Sequence, residues 1–297
     1  MSTNQCRLQP LIFGEVLFDC FPDNKQVLGG APFNVAWNLR ALGLDPLFVS
    51  SVGSDNHGEK IKDAMSAWGM NTQYLQTNNQ HPTGIVSVTF NNNEPAYDIV
   101  ENSAWDFISE TELQDIPNIP LLYHGTLGLR HPVAANTLTH LKKKISGKIF
   151  LDVNLRSPFW SKALIQRQLA DCHYLKLNED ELKLLAASED SAIDQARALS
   201  TQYDIEYVFV TLGKNGAFAI DKSGNHFQVK PAGLTEVVDT VGAGDAFSSV
   251  LIMGILADWE IITMLQRAQA MAGAVVGLQG ASTQDKAFYQ QLSKDWF

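Results

Sequence analysis

The chain has 297 residues, 45% of them hydrophobic and 18% charged, and its formal net charge at pH 7 is −10. This composition excludes disorder as the main state and predicts one large or two modest globular domains. It also argues against a nucleic-acid partner, because such proteins present a basic face. The three cysteines, Cys6, Cys20 and Cys172, include no CxxC pair, and an odd number is typical of a reducing compartment.

The N-terminal end predicts a buried strand over Leu11–Phe18, because this short run is apolar and rich in β-forming residues. Glu15 interrupts the run, so the segment does not fit a signal peptide. The longest apolar stretch, Val250–Ala257, is far shorter than the ~20 residues that a membrane-spanning helix needs. We therefore expect a soluble cytoplasmic protein with no membrane partner.

The next elements alternate between helix and strand. A breaker cluster at 29–32 precedes apolar residues at helical spacing in Asn34–Leu42, and Gly43 ends this helix. A strand at Leu47–Val52 and a helix at Gly58–Trp68 follow. This order is typical of strands that are connected by helices packed on a sheet.

A different pattern marks Thr83–Phe90, where apolar and polar residues alternate as in a half-exposed strand. Ala96–Glu101 would pair with it across the turn at Asn91–Asn93. A hairpin with one polar face does not suit the middle of a parallel sheet. We therefore predict that this hairpin projects from the main body as a flap.

After residue 105 strands and helices alternate regularly, which predicts a mainly parallel sheet covered on both faces. The predicted strands are Leu121–His124, Lys148–Val153, His173–Leu177 and Tyr207–Thr211, with helical stretches at about 131–144, 159–170 and 178–201. A hairpin and two long helices then complete the chain, at Ala217–Ile220 with His226–Val229, Ala243–Ala257 and Glu260–Leu278.

The segment 237–250, VVDTVGAGDAFSSV, combines a glycine-rich turn with a helix start. Gly242 and Gly244 allow close backbone approach, and the unpaired N–H groups of a helix start attract anions. Asp245 lies among these donors, where an acid is commonly only an N-cap. The two glycines and a second acid, Asp239, favour phosphoryl transfer, with amides holding the transferred group and Asp245 accepting a hydroxyl proton. The sequence contains neither a P-loop nor protein-kinase signatures.

Two separated segments resemble signatures of the ribokinase-like sugar kinases of the phosphofructokinase-B type. Residues 239–247, DTVGAGDAF, resemble the C-terminal signature of that family. Residues 29–36, GGAPFNVA, followed by Gly43 and Gly53, resemble its N-terminal signature. Lesser matches fill the interval, so the resemblance covers nearly the whole chain.

This resemblance implies a single carbohydrate kinase domain over 1–297. Its fold would be a three-layer α/β/α sandwich with a mainly parallel central sheet and a small β-sheet lid, formed by about 15–30 and 83–101. The implied reaction uses ATP and Mg²⁺, with Asp245 as catalytic base. The implied anion hole consists of the amides of Gly242, Ala243 and Gly244.

The resemblance also implies a sugar site. Asp19 is similar to the family's sugar-binding aspartate, and Gly30 and Asn34 would add backbone and amide contacts. Taken alone, Asp19 would be a solvated loop acid and Asn34 a helix cap. Asn154 and Arg156 resemble the D-x-N-x-R element of fructokinase-like members, at a strand end where open α/β sheets bind ligands. Asp152, the first residue of that element, would only brace the turn.

The nucleotide side is implied by two further strand ends. Asn178 and Glu181 resemble the family's N-x-x-E motif, in which Glu181 would hold Mg²⁺ through water; the alternative is a helix start that Asn178 caps. A second strand end resembles the nucleotide-side turn and consists of Thr211, Gly213 and Gly216. Some relatives use a monovalent cation, and Asp239 and the Val241 carbonyl would be its ligands, with K⁺ as the expected ion.

The D-x-N-x-R element and the opening GEVLFDCFP favour fructose as acceptor. A 2-keto-3-deoxygluconate kinase, a ribokinase and a nucleoside kinase remain alternatives. A sugar-sensing protein on a kinase scaffold is a different class, but Asp245 and its glycines are present. A dinucleotide oxidoreductase would need an early G-x-G-x-x-G, which is missing. Exposed lid strands predict a homodimer through the lid sheets.

Overall fold

The computed structural model describes residues 9–91, 94–113, 115–186, 188, 190–231 and 238–296. Cys6, Asn92, Asn93 and Val237, which belong to features discussed above, lie outside these ranges. Cys20 and Cys172 are free thiols. No helix in the described part of the chain combines the length and the apolar character needed to cross a membrane.

Strands and helices are numbered along the chain. The described part of the central sheet contains β1 (Leu11–Phe13), β4 (Leu47–Gly53), β5 (Leu75–Asn78), β8 (Leu121–His124), β9 (Lys148–Asp152), β10 (Tyr174–Asn178), β11 (Tyr207–Thr211), β12 (Ala217–Asp221) and β13 (His226–Val229). A second sheet contains β2 (Leu17–Cys20), β3 (Gln26–Gly29), β6 (Gly84–Asn91) and β7 (Glu94–Ile99). The helices are α1 (Ala31–Ala41), α2 (Asn56–Trp68), α3 (Pro132–Lys144), α4 (Lys162–Leu169), α5 (Glu179–Ala186), α6 (Ala192–Tyr203), α7 (Ala243–Leu256), α8 (Ile261–Val275) and α9 (Lys286–Ser293).

The central sheet has the order β13-β12-β11-β10-β9-β8-β1-β4-β5. Among its described strands, neighbours from β5 to β11 pair parallel, and β12 pairs antiparallel with both β11 and β13. Apart from the run Leu11–Phe18, the predicted strands of the central sheet and the C-terminal hairpin are therefore confirmed. Because parallel strands are connected by helices that return over the sheet, both of its faces become covered.

Side-chain alternation along the strands builds the three layers. Ile12 of β1 packs in a core cluster with α1, α7 and α8, whereas Leu11 and Phe13 pack in a cluster with α3. β9 behaves likewise, since Phe150 joins the first cluster and Leu151 joins another with α4, α5 and α6. The predicted three-layer α/β/α architecture is confirmed.

The second sheet confirms the predicted flap and joins it to the segment after β1. Its strand order is β3-β2-β6-β7, with β2 and β6 parallel and the other neighbours antiparallel. Two chain segments more than fifty residues apart therefore form one small sheet beside the main body. Both segments fall within the ranges that the sequence predicted, about 15–30 and 83–101.

Two predicted elements are wrong because each combines two separate ones. The run Leu11–Phe18 is not one strand, since β1 belongs to the central sheet and β2 to the small sheet. The break lies at Gly14, whose φ of +147° and whose approach to the Pro32 ring leave no room for a side chain. The stretch 178–201 is also divided, because the Ser191 hydroxyl accepts from the Asp194 amide and starts α6 as a new helix.

Candidate active site

The predicted site residues converge beyond the carboxyl ends of the parallel strands. Asp152, Asn178 and Thr211 end the neighbouring strands β9, β10 and β11. Asn178 lies directly opposite Thr211 in the parallel pairing of β10 and β11. This edge is where open α/β sheets bind ligands. The sheet thereby brings together the two strand ends that were assigned to the nucleotide side.

Asp245 occupies the first turn of α7 without being the cap of that helix. Gly242 is the N-cap, with a φ of 80° in the left-handed region, and a side chain there would meet Ala281. At the start of the helix, the Ala246 amide donates to the Gly242 carbonyl at 2.8 Å. The amides of a helix's first turn lack acceptors within the helix and carry partial positive charge. Asp245 therefore lies in an anion-attracting turn, and its carboxylate accepts a hydrogen bond from outside the helix.

The donor of this hydrogen bond is Asn34, which lies in the first turn of α1. Its Nδ2 donates to Oδ2 of Asp245 at 2.8 Å, and both side chains are buried. The second amide atom of Asn34, Oδ1, is buried without a hydrogen-bond partner in the protein. The contact joins the two signature segments directly. Asn34 remains predicted as a sugar contact through this second atom.

Burial raises the pKa of Asp245 to about 6. The hydrogen bond from Asn34 opposes the rise, the Asp152 charge adds to it, and Lys176 and Arg156 lower it. Since this pKa remains below 7, the carboxylate is mostly ionised at neutral pH. A carboxylate with a pKa near the working pH accepts a proton more effectively than an ordinary aspartate.

The predicted sugar residues lie at the junction of the two sheets, and charged side chains there are close enough to shift one another's pKa. Asp19 is half-buried in β2, and burial raises its pKa to about 6. The Arg156 guanidinium lowers this pKa and Asp239 raises it, so both charges act on Asp19. Gly30 is the N-cap of α1, where its φ of 111° and the Glu15 carbonyl exclude a side chain.

The loop after β9 supplies the other two predicted sugar residues. Asn154 has a φ of 40°, in the left-handed region that asparagine tolerates better than most residues. Arg156 is exposed, and its charge lowers the pKa of Glu15, Asp19 and Asp245. The guanidinium therefore lowers the pKa of both the predicted sugar-binding Asp19 and the predicted base Asp245.

Asn178 and Glu181 form the helix start that was the alternative interpretation of their motif. Oδ1 of Asn178 accepts from the Glu181 amide, and Oε2 of Glu181 accepts from the Asn178 amide, both at 2.9 Å. Oε1 of Glu181 also accepts from the Leu155 amide at 2.7 Å, which ties α5 to the loop after β9. A carboxylate has about four lone-pair sites, so these contacts leave room for a water.

The donor set suits a cation that is held mainly by other ligands. Among the described residues, no group of three or more His, Cys, Asp or Glu side chains is arranged to hold a metal ion. Mg²⁺ usually keeps several waters and binds through one or two carboxylates together with substrate phosphates. Glu181, with lone pairs left over and a place beside the strand ends, fits such an arrangement.

The turn after β11 contains two glycines with different surroundings. Gly213 has a φ of 53° and open space where a side chain would lie. Gly216 has a φ of 96°, and a side chain there would meet the Val229 carbonyl. Thr211 is partly exposed at the strand end. Gly216 thus has a structural role in pairing β12 with β13, whereas the space at Gly213 remains open for a ligand.

The segment before α7 is fixed by Asp239. Its Oδ1 accepts from the Val241 amide at 3.0 Å, and its Oδ2 accepts from the Gly280 amide at 3.2 Å. Val241 itself is 45% exposed. Asp239 therefore braces the glycine turn, and its role with Val241 in binding a monovalent cation stays a prediction.

Sequence reasoning missed one ionic cluster beside Asp245. Lys176 is buried, and its ammonium donates to both carboxylate oxygens of Asp152, at 3.0 and 3.1 Å. Asp152 also accepts from Ser248 of α7 at 2.8 Å. The available signal was a lysine between two leucines in the strand sequence YLKLN.

Glu15 interrupts an apolar run, and the sequence predicted no role for it in the site. Its side chain is 3% exposed, and its Oε2 has no hydrogen-bond partner in the protein. Burial raises its pKa to about 7, and the Asp245 charge contributes to the rise. A second carboxyl group with a raised pKa therefore lies near the proposed base.

The fold and this charged cleft define an α/β enzyme of the ribokinase-like type. Residues 16–287 match the family model of the pfkB family carbohydrate kinases. The chain belongs to this family and is an ATP-dependent carbohydrate kinase. It is similar to a fructokinase of Salmonella typhimurium, with 28% identity over 262 residues that cover 83% of this chain and 84% of that protein.

Two solved structures have the same fold. A fructokinase double mutant from Vibrio cholerae, in a form with fructose, ADP and potassium ion bound, has a TM-score of 0.82 at 22% identity, covering 96% of this chain and 98% of that chain. Aminoimidazole riboside kinase from Salmonella enterica, complexed with aminoimidazole riboside and an ATP analog, has a TM-score of 0.83 at 23% identity, covering 96% and 99%. The predicted fold class is confirmed.

Proposed function

We propose that this kinase transfers the γ-phosphoryl group of ATP to a primary hydroxyl of fructose. The observation that carries the proposal is the position of Asp245. This buried carboxylate lies among the first amides of α7 and is held by Asn34. Such an arrangement serves two tasks, because the amides attract the transferred phosphoryl group and the carboxylate accepts the proton of the attacking hydroxyl.

In the proposed reaction the sugar hydroxyl gives its proton to Asp245 while its oxygen attacks the γ-phosphorus. The bond from that phosphorus to the bridging oxygen breaks, and ADP leaves. The amides of Gly242, Ala243 and Gly244 would stabilise the developing negative charge, with help from the Arg156 guanidinium. Bound Mg²⁺ would neutralise charge on the phosphates. Glu181 would orient a water on that ion, and Asn178 would fix the Glu181 carboxylate.

Fructose is proposed because sugar-side residues of the fructokinase type occupy the cleft. Asp19, Gly30 and Asn34 would contact the sugar from the junction of the two sheets, and Asn154 and Arg156 from the loop after β9. The fructokinases among the relatives support this choice. A riboside is the second candidate, since aminoimidazole riboside kinase has the same fold and a comparable TM-score.

The nucleotide would bind along the ends of β10 and β11, against Thr211, Gly213 and Gly216. The open space at Gly213 supports this placement. K⁺ beside Asp239 and the Val241 carbonyl would strengthen the field of the anion hole. The potassium ion in the fructokinase from Vibrio cholerae supports the choice of ion.

The whole chain would act as a single kinase domain in the cytoplasm, with the small sheet as a lid. Closure of this lid over the sugar would exclude water and suppress hydrolysis of ATP. β3 and β7 are the edge strands of the small sheet, and Tyr97 of β7 is 56% exposed. Exposed edges favour pairing with a second copy, so we expect a homodimer through the lid sheets. A monomer in light scattering at working concentration would refute the dimer.

The acceptor is tested by coupled ADP release with fructose, ribose, 2-keto-3-deoxygluconate and aminoimidazole riboside, each with and without K⁺. We expect the highest kcat/KM for fructose and stimulation by K⁺. A higher value for another acceptor would replace fructose as the substrate and leave the kinase class intact. Equal rates with and without K⁺ would remove the monovalent cation.

The role of Asp245 is tested separately by Asp245→Asn. This variant should fold and bind the sugar, while kcat falls by about 10²–10⁴ because the base is lost. Asp194→Asn is the matched control, since Asp194 is an exposed acid in the first turn of α6. Wild-type kcat in Asp245→Asn would overturn the assignment.

A further inference from the structure

Lys176 is a buried cation next to the proposed transfer site, and none of the roles assigned above uses it. It lies in β10 directly opposite Asp152 of β9 in the parallel register. Its ammonium donates to Oδ1 and Oδ2 of Asp152 at 3.0 and 3.1 Å, and the two side chains are 8% and 0% exposed. Buried charges of this kind are costly unless they are paired, which the register of the two strands ensures.

Asp152 connects this ion pair to the helix that carries Asp245. Its Oδ2 accepts from the Ser248 hydroxyl at 2.8 Å and from the Tyr123 hydroxyl at 3.3 Å. Ser248 follows Asp245 by three residues, so it lies almost one helical turn further along α7. The carboxylate of Asp152 thereby holds the first turns of α7 against β8, β9 and β10.

The Lys176 ammonium also lies close to Gly244 of the glycine turn. A side-chain carbon at Gly244 would lie 3.0 Å from the Lys176 ammonium nitrogen. Unlike Gly242, Gly244 does not have a left-handed φ, so its backbone conformation does not require glycine. Glycine is suited to position 244 because a side chain there would crowd the Lys176 ammonium next to the proposed anion hole.

We propose that Lys176 is a positioning residue for phosphoryl transfer, which fixes the start of α7 through Asp152 and Ser248 and supplies a fixed positive charge beside Asp245. This inference rests on the proposed role of Asp245 as the base. The lysine acts through its neighbours, whereas Asp245 and the amides of the turn would touch the reacting atoms.

The charges around Asp245 predict what removal of the lysine would do. Asn34 of α1 faces Asp245 with a neutral amide, and Tyr123 of β8 and Glu15 of the β1–β2 loop interact with it electrostatically. Of the remaining charges, Asp152 raises the pKa of Asp245, while Lys176 and Arg156 lower it. Removing the ammonium should therefore raise the pKa of Asp245 and move the acid limb of the kcat profile to higher pH.

The experiment compares Lys176→Met with Lys142→Met. Lys142 is the matched control, because it is a lysine with a 7% exposed side chain that pairs with Asp171 at 2.8 Å and does not contribute to the pKa shift of Asp245. We measure kcat against pH at saturating sugar and ATP, together with thermal unfolding. Lys176→Met should lower kcat by about tenfold or more and move the acid limb up by about one pH unit, and Lys142→Met should do neither.

The double variant Asp152→Asn with Lys176→Met removes both charges and is the second test. Buried ion pairs that are replaced together by neutral residues often keep the fold. Its kcat should stay at least about tenfold low, because the fixed positive charge beside Asp245 is gone, and its acid limb should return toward that of the wild type. If Lys176→Met does not fold, the double variant decides, and wild-type kcat in it would overturn the proposal.

The outcomes separate this inference from the proposed function. An inactive Asp245→Asn together with a Lys176→Met variant of normal kcat and unmoved acid limb would reject Lys176 alone. A low kcat with an unmoved acid limb would also reject the proposal, because a merely structural loss gives that result. An active Asp245→Asn would reject the base itself.

Discussion

Asn34 donates a hydrogen bond of 2.8 Å to Asp245 across 211 residues of sequence. This contact lowers the pKa of Asp245, against the larger effect of burial, which raises it to about 6. Asn34 therefore helps to keep the proposed base ionised at neutral pH. A residue of the N-terminal signature therefore affects the protonation of Asp245 in the C-terminal signature. The same residue is also a proposed sugar contact.

The first prediction concerns Asn34→Ala. Without the donor, the pKa of Asp245 should rise, so the acid limb of kcat at saturating sugar should move to higher pH by about half a unit to one unit. Asn38→Ala is the control, because Asn38 is buried on the same helix and accepts from the Tyr289 hydroxyl. It should lower the unfolding temperature without moving the limb. An unchanged limb in Asn34→Ala would contradict the role of this hydrogen bond.

The second prediction concerns the stability effect of Glu15. Its pKa rises from 4.5 to about 7 on folding, so the folded chain binds this proton more tightly than the unfolded chain. The stability from this group is therefore complete below pH 4.5 and is lost as the pH rises through about 7. Glu15→Gln stays neutral, so it should stabilise the protein at pH 8 by up to about 3 kcal/mol and change little at pH 4.5.

Chemical unfolding at the two pH values measures this difference. The exposed Glu112→Gln is the control, and its effect should be small and equal at both values. If Glu15→Gln were no more stable than the wild type at pH 8, the carboxyl group of Glu15 would not be the origin of the effect.

The third prediction concerns Glu181→Gln. One of the two carboxylate oxygens becomes an amide nitrogen, which cannot accept from the amide of Leu155 or Asn178, and the site loses a negative charge. The Mg²⁺ concentration for half-maximal activity should rise about tenfold. Glu179→Gln is the control. Glu179 is a partly exposed acid in the same turn, and it forms an ion pair with Lys183. A similar Mg²⁺ dependence in both variants would restrict Glu181 to capping α5.

The fourth prediction separates the two glycines after β11. Gly216→Ala should destabilise the fold by about 3 kcal/mol or more, because the methyl group would strike the Val229 carbonyl. Gly213→Ala meets open space and bears only the strain of a left-handed φ, about 1 kcal/mol. Its KM for ATP should nevertheless rise several-fold if the nucleotide occupies that space. A normal KM for ATP in a folded Gly213→Ala would place the nucleotide elsewhere.

Most central strands were predictable because they are short apolar runs that parallel sheets bury on both faces. The prediction for Tyr207–Thr211 agrees with β11, and that for Lys148–Val153 is one residue longer than β9. β5 reads LQTN and was not predicted, because it is short and carries no apolar period. The break at Gly14 was not visible either, since both halves of the run are apolar and only their sheets differ.

The helix start of the candidate site was predictable because it is local in sequence. Asp245 and its glycines are adjacent along the chain, so a helix start with an acid could be recognised from one segment. The ion pair of Lys176 with Asp152 could not, because it depends on the register of two strands joined by a long connection. The sequence alone does not predict which face of β10 carries the Lys176 side chain.

The contact between Asn34 and Asp245 also constrains how the enzyme is made. During synthesis α1 emerges long before α7, because 211 positions of sequence separate Asn34 from Asp245. Domains generally form as units, and contacts between distant residues are slow to close. Until α7 arrives, the buried side chains of α1 lack their final cover. The contact between Asn34 and Asp245 can therefore form only after synthesis has proceeded through α7, and this apolar surface of α1 stays uncovered until then.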